Sequence, residues 1–365
     1  MTKVVFVTND FPPRPGGIQS FVHGLALRTP DAAVYAPAWP GCAEFDRRQP
    51  YRIVRHPGRL MLPTPAVARR AARLVAEHGA GTVVLGAAAP LGLLAPRLRA
   101  AGARRVVMLT HGHEASWAGA PVFRSVLRRI GEHADVVTYL GDYTRARLAA
   151  VIGEDKLVRL APGVDTELFR PPAVRAEPRE LAGLSGRPVV ACVSRLVPRK
   201  GQDQLIRAWP EVLRAVPDAV LLLVGGGPYR RELDKLAAGL PSIVFTGTVP
   251  AADLPGYYAA ADVFAMPCRT RWGGVDVEGL GIVFLEASAT GLPVVAGDSG
   301  GAPEAVRHRE TGLVVDGDSV EEIAAALIEL LANPDQARKL GAAGRDWIAG
   351  EWSWDQAAAR FRALL

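Results

Sequence analysis

The chain has 365 residues with a net charge of +6 and 49% apolar content. That is too long for one ordinary core, and it suits two α/β domains. The longest apolar runs, such as Ala219 to Val224, stop at strand length, so no transmembrane helix is expected. Met1-Thr-Lys-Val-Val-Phe-Val enters an apolar strand directly, and no signal peptide is read. Cys42, Cys192 and Cys268 are widely spaced and form no C-x-x-C, which excludes a disulfide framework and a zinc motif and points to a reducing cytoplasm. Residues 1 to 170 carry 23 Lys+Arg against 13 Asp+Glu, a balance of +10, and the remainder carries 20 against 24, a balance of −4. One half is therefore suited to an anionic surface or substrate.

In chain order, strand-length apolar stretches alternate with segments of helical period. Lys3 to Thr8 precedes a helix over Gly17 to Arg28, and Thr82 to Leu85 precedes one over Leu91 to Ala101. Arg105 to Thr110 and Val136 to Tyr139 read as further strands. The paired prolines of Leu168-Phe-Arg-Pro-Pro-Ala-Val resist both helix and central strand, and place a hinge there. The pattern then restarts: a strand over Pro188 to Ser194, a helix over Gln202 to Val216, a strand over Ala219 to Val224 and a helix over Tyr229 to Ala238. Short strands are expected at Ile243 to Thr246, Val263 to Met266, Pro293 to Ala296 and Leu313 to Val315. Trp352 to Leu365 reads as an amphipathic helix with Trp354, Ala358, Phe361 and Leu365 on one side. Repeated βαβ units imply parallel sheets covered on both faces.

Asn9-Asp-Phe-Pro-Pro-Arg-Pro-Gly-Gly-Ile-Gln follows the first strand and opens the first helix. Gly16 and Gly17 either let backbone N–H groups approach a phosphate or serve a tight βα turn. Val224-Gly-Gly-Gly-Pro lacks the dinucleotide fingerprint, because Arg230 stands where a glycine is needed, and reads as a glycine turn closing a strand. Arg195 and Lys200 lie on one loop after a strand. There they can flank a diphosphate and stabilise a departing nucleoside diphosphate, or form a solvated basic loop.

Asp276-Val-Glu-Gly-Leu-Gly-Ile-Val-Phe-Leu-Glu-Ala is the most specific feature. Glu278 precedes a glycine-rich turn, and the amides of Gly279, Leu280, Gly281, Ile282 and Val283 open a helix that can bind phosphate or sugar oxygens. Glu286, eight residues on, lies in an apolar helix face and requires a partner there. Glu278 suits the hydroxyls of a transferring sugar and Glu286 those of a ribose.

Gly-Gly near the N-terminus, Arg195 with Lys200, and Glu-x7-Glu followed by Gly-Leu-Pro-Val-Val together resemble the retaining GT-B glycosyltransferases of family 4, over nearly the whole chain. Cys268-Arg-Thr-Arg-Trp-Gly-Gly-Val-Asp-Val-Glu-Gly-Leu-Gly-Ile-Val, with Thr8-Asn-Asp-Phe-Pro-Pro-Arg-Pro-Gly-Gly-Ile-Gln, is similar to the actinobacterial phosphatidylinositol mannoside mannosyltransferases of the PimB type.

The resemblance implies two Rossmann-like domains facing across a cleft: residues 1–169 plus 350–365 binding the acceptor, and 170–349 binding the nucleotide sugar, with the terminal helix returning to the first. It implies that Gly17, beside Gly16, meets the donor β-phosphate, that Arg195 and Lys200 clamp the diphosphate, that Glu278 and the following amides hold the sugar, and that Glu286 holds the ribose. Val249 also joins the donor site on this basis. His111 matches an active-site histidine, and Asp10 and Gln19 are placed toward the acceptor. The catalytic set is then His111, Glu278, Arg195 and Lys200.

GDP-mannose is the implied donor and an anionic glycolipid, a phosphatidylinositol mannoside, the implied acceptor through an α-1,6 linkage. The alternatives are another anionic glycolipid such as a glucuronosyl diacylglycerol, a nucleotide-sugar epimerase of the same architecture, and a non-catalytic lectin-like or lipid-binding module. No metal or other cofactor is expected, the rival being a metal site at His111, His113 and Glu114. With no carboxylate standing out as a nucleophile, a same-face substitution with retention of configuration is the expected mechanism. The basic amphipathic stretch Arg59 to Glu77 suggests peripheral contact with the inner leaflet of the cytoplasmic membrane, and no nucleic-acid partner is expected.

Overall fold

The computed structural model describes residues 2–112, 114, 117, 121–172, 184 and 186–365. The chain forms two compact units, Met1–Gly163 with Trp354–Leu365, and Val164–Ser353.

In the first unit, strands β1 (Val4–Val7), β2 (Ala32–Pro37), β3 (Arg52–His56), β4 (Thr82–Leu85), β5 (Arg105–Met108), β6 (Val136–Tyr139) and β7 (Leu157–Arg159) form a parallel sheet in the order β3-β2-β1-β4-β5-β6-β7. Alternate side chains of β1 serve opposite faces: Val5 and Val7 join one buried cluster, Val4 and Phe6 another. Both faces of a parallel sheet must be covered, which is why β1 is apolar throughout instead of alternating. Helices α1 (Gly17–Leu27), α2 (Cys42–Arg47), α3 (Pro65–His78), α4 (Ala95–Ala100), α5 (Pro121–Glu132) and α6 (Asp142–Ile152) make the crossovers.

Strands β2, β3 and β7 lie outside the set expected from apolar runs. β2 is alanine-rich and ends in proline, a weak strand signal overridden by its place between β1 and β3. β3 and β7 are the sheet's edges, half-exposed and carrying arginines, so neither shows an apolar run. The helix expected over Leu91 to Ala101 is instead a 3-10 turn, Leu91–Leu94, followed by α4, which has Pro96 in its first turn.

The stretch Arg59 to Glu77 is amphipathic as expected, and the apolar face of its helix is turned inward. Val67, Ala68, Ala71, Leu74 and Val75 of α3 are buried in the core under the sheet. A buried aliphatic side chain contributes about 1.5–3 kcal/mol, so this face does not turn outward to lipid. What remains exposed is Arg69, Arg70 and Arg73 on the helix and Leu60 and Leu62 before it, 58% and 52% exposed, with Met61 fully buried between them. Among the described residues, no helix is long and apolar enough to cross a membrane.

In the second unit, β8 (Val189–Val193), β9 (Val220–Val224), β10 (Ile243–Gly247), β11 (Val263–Met266), β12 (Val294–Gly297) and β13 (Gly312–Val315) form a parallel sheet ordered β10-β9-β8-β11-β12-β13. Helices α7 (Gln202–Ala215), α8 (Arg230–Leu236), α9 (Leu254–Ala259), α10 (Ile282–Ala289), α11 (Val320–Ala332) and α12 (Pro334–Glu351) complete it. The unit begins before the paired prolines. Phe169 packs edge-on to Tyr258 with ring centroids 5.6 Å apart, and Arg345 donates to the carbonyl of Phe169 at 3.2 Å. Residues 173 and 174 of the expected hinge segment lie outside the described residues.

The chain leaves this unit at Ser353, where Val164 N–H donates to the Trp352 carbonyl at 2.8 Å. Helix α13 (Trp354–Arg362) then packs on the first unit. Phe361 lies 5.9 Å from Phe6, and the Trp354 ring sits so close to Gly24 of α1 that a Cβ there would come within 2.2 Å of it. Trp352 belongs to the second unit; beyond Arg362, Leu364 is buried and Leu365, like Trp354, is partly buried against the same core cluster.

Candidate active site

In an open parallel sheet, ligands bind at the carboxyl ends of the strands where the strand order reverses. In the second unit that reversal falls between β8 and β11. The loop after β8 carries Arg195 and Lys200, and the loop after β11 leads to Glu278. Topology alone therefore brings residues 78 positions apart together: Lys200 Nζ donates to Glu278 Oε2 at 2.5 Å, and both residues are buried. Burial alone would raise the Glu278 carboxyl, but the charges of Lys200 and Arg199, the bond from Lys200 and the Gly279 N–H together hold it below the ordinary carboxylate range. The carboxylate is thus kept ionised, an acceptor for hydroxyl donors.

Arg195 has a different environment. Its side chain is exposed and meets no carboxylate among the described residues, so one cation of the pair is engaged and the other open. The loop that carries both ends in glycine. Gly201 has φ of 75°, and a Cβ there would come within 2.0 Å of the Pro267 carbonyl oxygen. The run Gly225 to Gly227 is the expected strand-closing turn, with a further part in the site: a Cβ at Gly225 would strike Ser194 O at 2.1 Å and one at Gly227 would strike Leu196 O at 2.3 Å, so their absence lets β9 end directly against the Arg195 loop. Gln202 holds that loop from α7, donating to Ser194 Oγ at 2.7 Å and Arg195 O at 3.0 Å.

Glu278 is followed by Gly279, Leu280 and Gly281, the last at φ 83° immediately before α10, whose first turn holds Ile282 and Val283 and has no acidic residue or side-chain cap. The amides of this end can meet an anion. Gly300 and Gly301, after β12, support the turn from behind: Gly301 N–H donates to Glu278 O at 2.9 Å, and a Cβ on Gly300 would come within 2.1 Å of that oxygen. Trp272 lies in the loop before Glu278, 70% exposed at a positive φ of 51°. Glu286 has the partner its apolar surroundings require: Tyr258 donates its hydroxyl to Oε2 at 2.7 Å. Its carboxyl is pushed up to about 7 by burial, offset in part by that bond. Val249 is partly buried in the segment after β10.

The first unit repeats the plan, with its reversal between β1 and β4. After β1, Gly16 caps α1 at φ 150° and a Cβ there would meet Gln19 Oε1 at 2.2 Å; Gly17 is the first helical residue and exposed. Gln19 donates to Asp10 Oδ1 at 2.7 Å, which brings the two acceptor candidates together, and Arg14 lies 3.6 Å from the same oxygen. His111, after β5, reaches the loop after β4: Nε2 is 2.5 Å from the Gly86 carbonyl oxygen. A carbonyl only accepts, so Nε2 carries the proton. Glu114 Oε2 accepts the His111 backbone N–H at 2.9 Å, whereas His113 lies outside the described residues.

Gln202 and the Gly300–Gly301 pair escape a reading of the sequence. Gly-Gly after a strand was available as a signal for the latter, but nothing local marks Gln202, whose bonds depend on how α7 meets β8.

Residues 175–347 match the family model of glycosyl transferases group 1, and residues 15–168 that of glycosyltransferase family 4. The GDP-mannose-dependent alpha-(1-6)-phosphatidylinositol monomannoside mannosyltransferase of Mycolicibacterium smegmatis is 56% identical over 99% of this chain and 98% of its own. The Corynebacterium glutamicum enzyme named for the monoacylated alpha-(1-6)-phosphatidylinositol monomannoside is 45% identical over 100% and 97%. Among solved structures, sucrose-phosphate synthase of Thermosynechococcus elongatus superposes with a TM-score of 0.83 at 23% identity over 100% of this chain and 98% of that one, a likeness of fold. The two Rossmann-like units are those of a GT-B enzyme, and the chain belongs to glycosyltransferase family 4.

Proposed function

We propose that this glycosyltransferase moves mannose from GDP-mannose to a phosphatidylinositol monomannoside, forming an α-1,6 linkage with retention of configuration. The identity of the two sugars and of the lipid is supported by the names of relatives 45–56% identical across the chain. The observation that carries the chemistry is the buried Lys200–Glu278 pair at the strand-order reversal, beside the open Arg195 and the bare N-terminus of α10.

In this reading the second unit is the donor domain. Arg195 and Lys200 meet the diphosphate, and the amides of Gly279 to Val283 its oxygens and those of the sugar. Charge grows on the leaving GDP as the glycosidic bond breaks, and fixed cations and dipoles stabilise that charge more than the ground state. Glu278 accepts from the mannose hydroxyls, Glu286 from the ribose, and Val249 lines the nucleotide end. The first unit is the acceptor domain: Gly16 and Gly17 approach the β-phosphate, His111 lies toward the sugar, and Asp10 with Gln19 toward the acceptor. No metal is required in this scheme, because Arg195, Lys200 and the helix N-termini supply the positive potential.

The acceptor is a lipid, so the enzyme works as a peripheral protein on the inner leaflet of the cytoplasmic membrane. Exposed Leu60 and Leu62 beside Arg59, Arg69, Arg70 and Arg73 support that placement for the first unit, in place of the buried face of α3.

The test is transfer of radiolabel from GDP-mannose into lipid with and without added phosphatidylinositol monomannoside, followed by α-mannosidase digestion of the product. Label released by the α-specific enzyme, and formed only with the acceptor, is the expected result. Tight GDP-mannose binding with no transfer to the lipid would overturn the assignment.

A further inference from the structure

We infer that Tyr258 is the positioning residue of the donor-ribose contact, its phenol fixing the Glu286 carboxylate so that the other oxygen accepts from the ribose diol of a nucleoside diphosphate. The inference rests on the proposed donor role of Glu286.

Tyr258 is fully buried on α9, and its hydroxyl donates to Glu286 Oε2 at 2.7 Å. Its ring is fixed on two sides, edge-on to Phe169 at 5.6 Å and tilted against Phe264 at 5.6 Å. Phe264 in turn meets the edge of Phe284, two residues before Glu286 on α10, at 5.9 Å. Donor and acceptor thus stand on two helices joined by one aromatic stack, which leaves the bond little freedom. Glu286 itself keeps partial exposure, and among the described residues no second side chain meets its carboxyl. The phenol engages one oxygen of a carboxyl whose residue keeps partial exposure, and the described residues offer no other side chain to the second oxygen.

The groups facing this pair are few. Cys192 of β8 faces Tyr258, and Arg345 of α12 ends on the carbonyls of Thr166, Phe169 and Ala289, not on the carboxyl. Burial and the neighbouring carboxylate raise the Tyr258 phenol well above its ordinary value, so it remains a donor. The bond favours the ionised form of Glu286, countering the burial that brings its carboxyl to about 7. An ionised carboxylate accepts from both hydroxyls of a diol, and a protonated one loses an acceptor. Nucleotide affinity should therefore rise with pH through neutrality, and Tyr258→Phe should move that rise upward.

The experiment is calorimetric binding of GDP and of 2′,3′-dideoxy-GDP to wild-type enzyme, Tyr258→Phe and Glu286→Gln across neutral pH, with steady-state kinetics for GDP-mannose. At pH 7 Tyr258→Phe should weaken GDP roughly tenfold and raise KM alike, with kcat within about twofold. The deficit should shrink at alkaline pH and vanish for the dideoxy nucleotide. Equal weakening of both nucleotides, or an unmoved pH profile, would overturn the inference. If Glu286→Gln leaves GDP affinity intact, the ribose role itself fails; if it weakens GDP while Tyr258→Phe does not, only the positioning role falls. Should Tyr258→Phe not fold, the wild-type preference for GDP over the dideoxy nucleotide must still grow from about pH 6 to about pH 8, and a flat preference would overturn the inference.

Discussion

The two units are built to one topological plan but wire their candidate sites differently. In each, the residues of interest follow strands at or next to the reversal of sheet order. In the second unit the contact across that reversal is a buried ion pair, Lys200 with Glu278, reinforced by Arg199. In the first unit the bond is to backbone and lies one strand away from the reversal, from His111 after β5 to Gly86 O after β4, while the polar pair Gln19 and Asp10 follows β1. A buried ion pair depends on both partners and fixes two loops together. A bond to a carbonyl orients one ring and leaves its neighbours free to change. The candidate site of the second unit is thus preorganised by charge and that of the first by shape.

The largest effect expected from this contrast is at the ion pair. Lys200→Met or Glu278→Leu alone leaves a buried charge unpaired and should cost about 3–5 kcal/mol in denaturant melts, while the double substitution recovers most of it. Transfer should fall at least about a hundredfold in all three. Recovery of activity along with stability would show the pair to be a structural device only.

The second effect concerns the glycines. Gly201→Ala places a Cβ 2.0 Å from the backbone carbonyl of Pro267 at a left-handed φ, whereas Gly16→Ala, also strained at φ 150°, meets the end of the Gln19 side chain, which moves by releasing Asp10. Destabilisation of about 3–4 kcal/mol for the first, strain plus backbone clash, and about 1–2 kcal/mol for the second, strain alone, is expected from thermal or denaturant unfolding. Equal losses would remove the distinction between a backbone-locked and an adaptable loop.

The smallest expected effect is on binding in the first unit. His111→Ala should lower kcat roughly tenfold with GDP affinity unchanged, because His111 is proposed to lie toward the sugar and not the nucleotide. Weakened GDP binding would break that assignment.

Glu278 and Glu286 also separate by pH. With its folded value depressed, Glu278 contributes stability that is full above the unfolded value of about 4.3 and lost as pH falls through the folded one. The raised carboxyl of Glu286 acts oppositely: it binds a proton more readily when folded, so its contribution falls as pH rises from about 4.3 toward 7. Urea titrations of Glu278→Gln and Glu286→Gln against pH should show the two slopes with opposite sign.

The sequence by itself determined that the chain forms two parallel α/β sheets, since apolar runs of strand length alternating with helical periods leave little else. It also determined that Arg195, Lys200, Glu278 and Glu286 are candidates, and that Glu286, set in an apolar helix face, must have a partner. Edge strands β3 and β7 were illegible because their stability comes from pairing with a neighbour and not from apolar residues of their own. Where the apolar face of Arg59 to Glu77 turns depends on what lies beneath α3, which periodicity does not reveal. Only the tertiary structure decided that Lys200 and Glu278 are bonded, that Arg195 stays open, that Gln202 holds its loop and that Tyr258 partners Glu286. The Lys200–Glu278 and Tyr258–Glu286 contacts join residues from separate crossovers, and the order in which strands assemble in the sheet, a non-local choice, sets which crossovers meet.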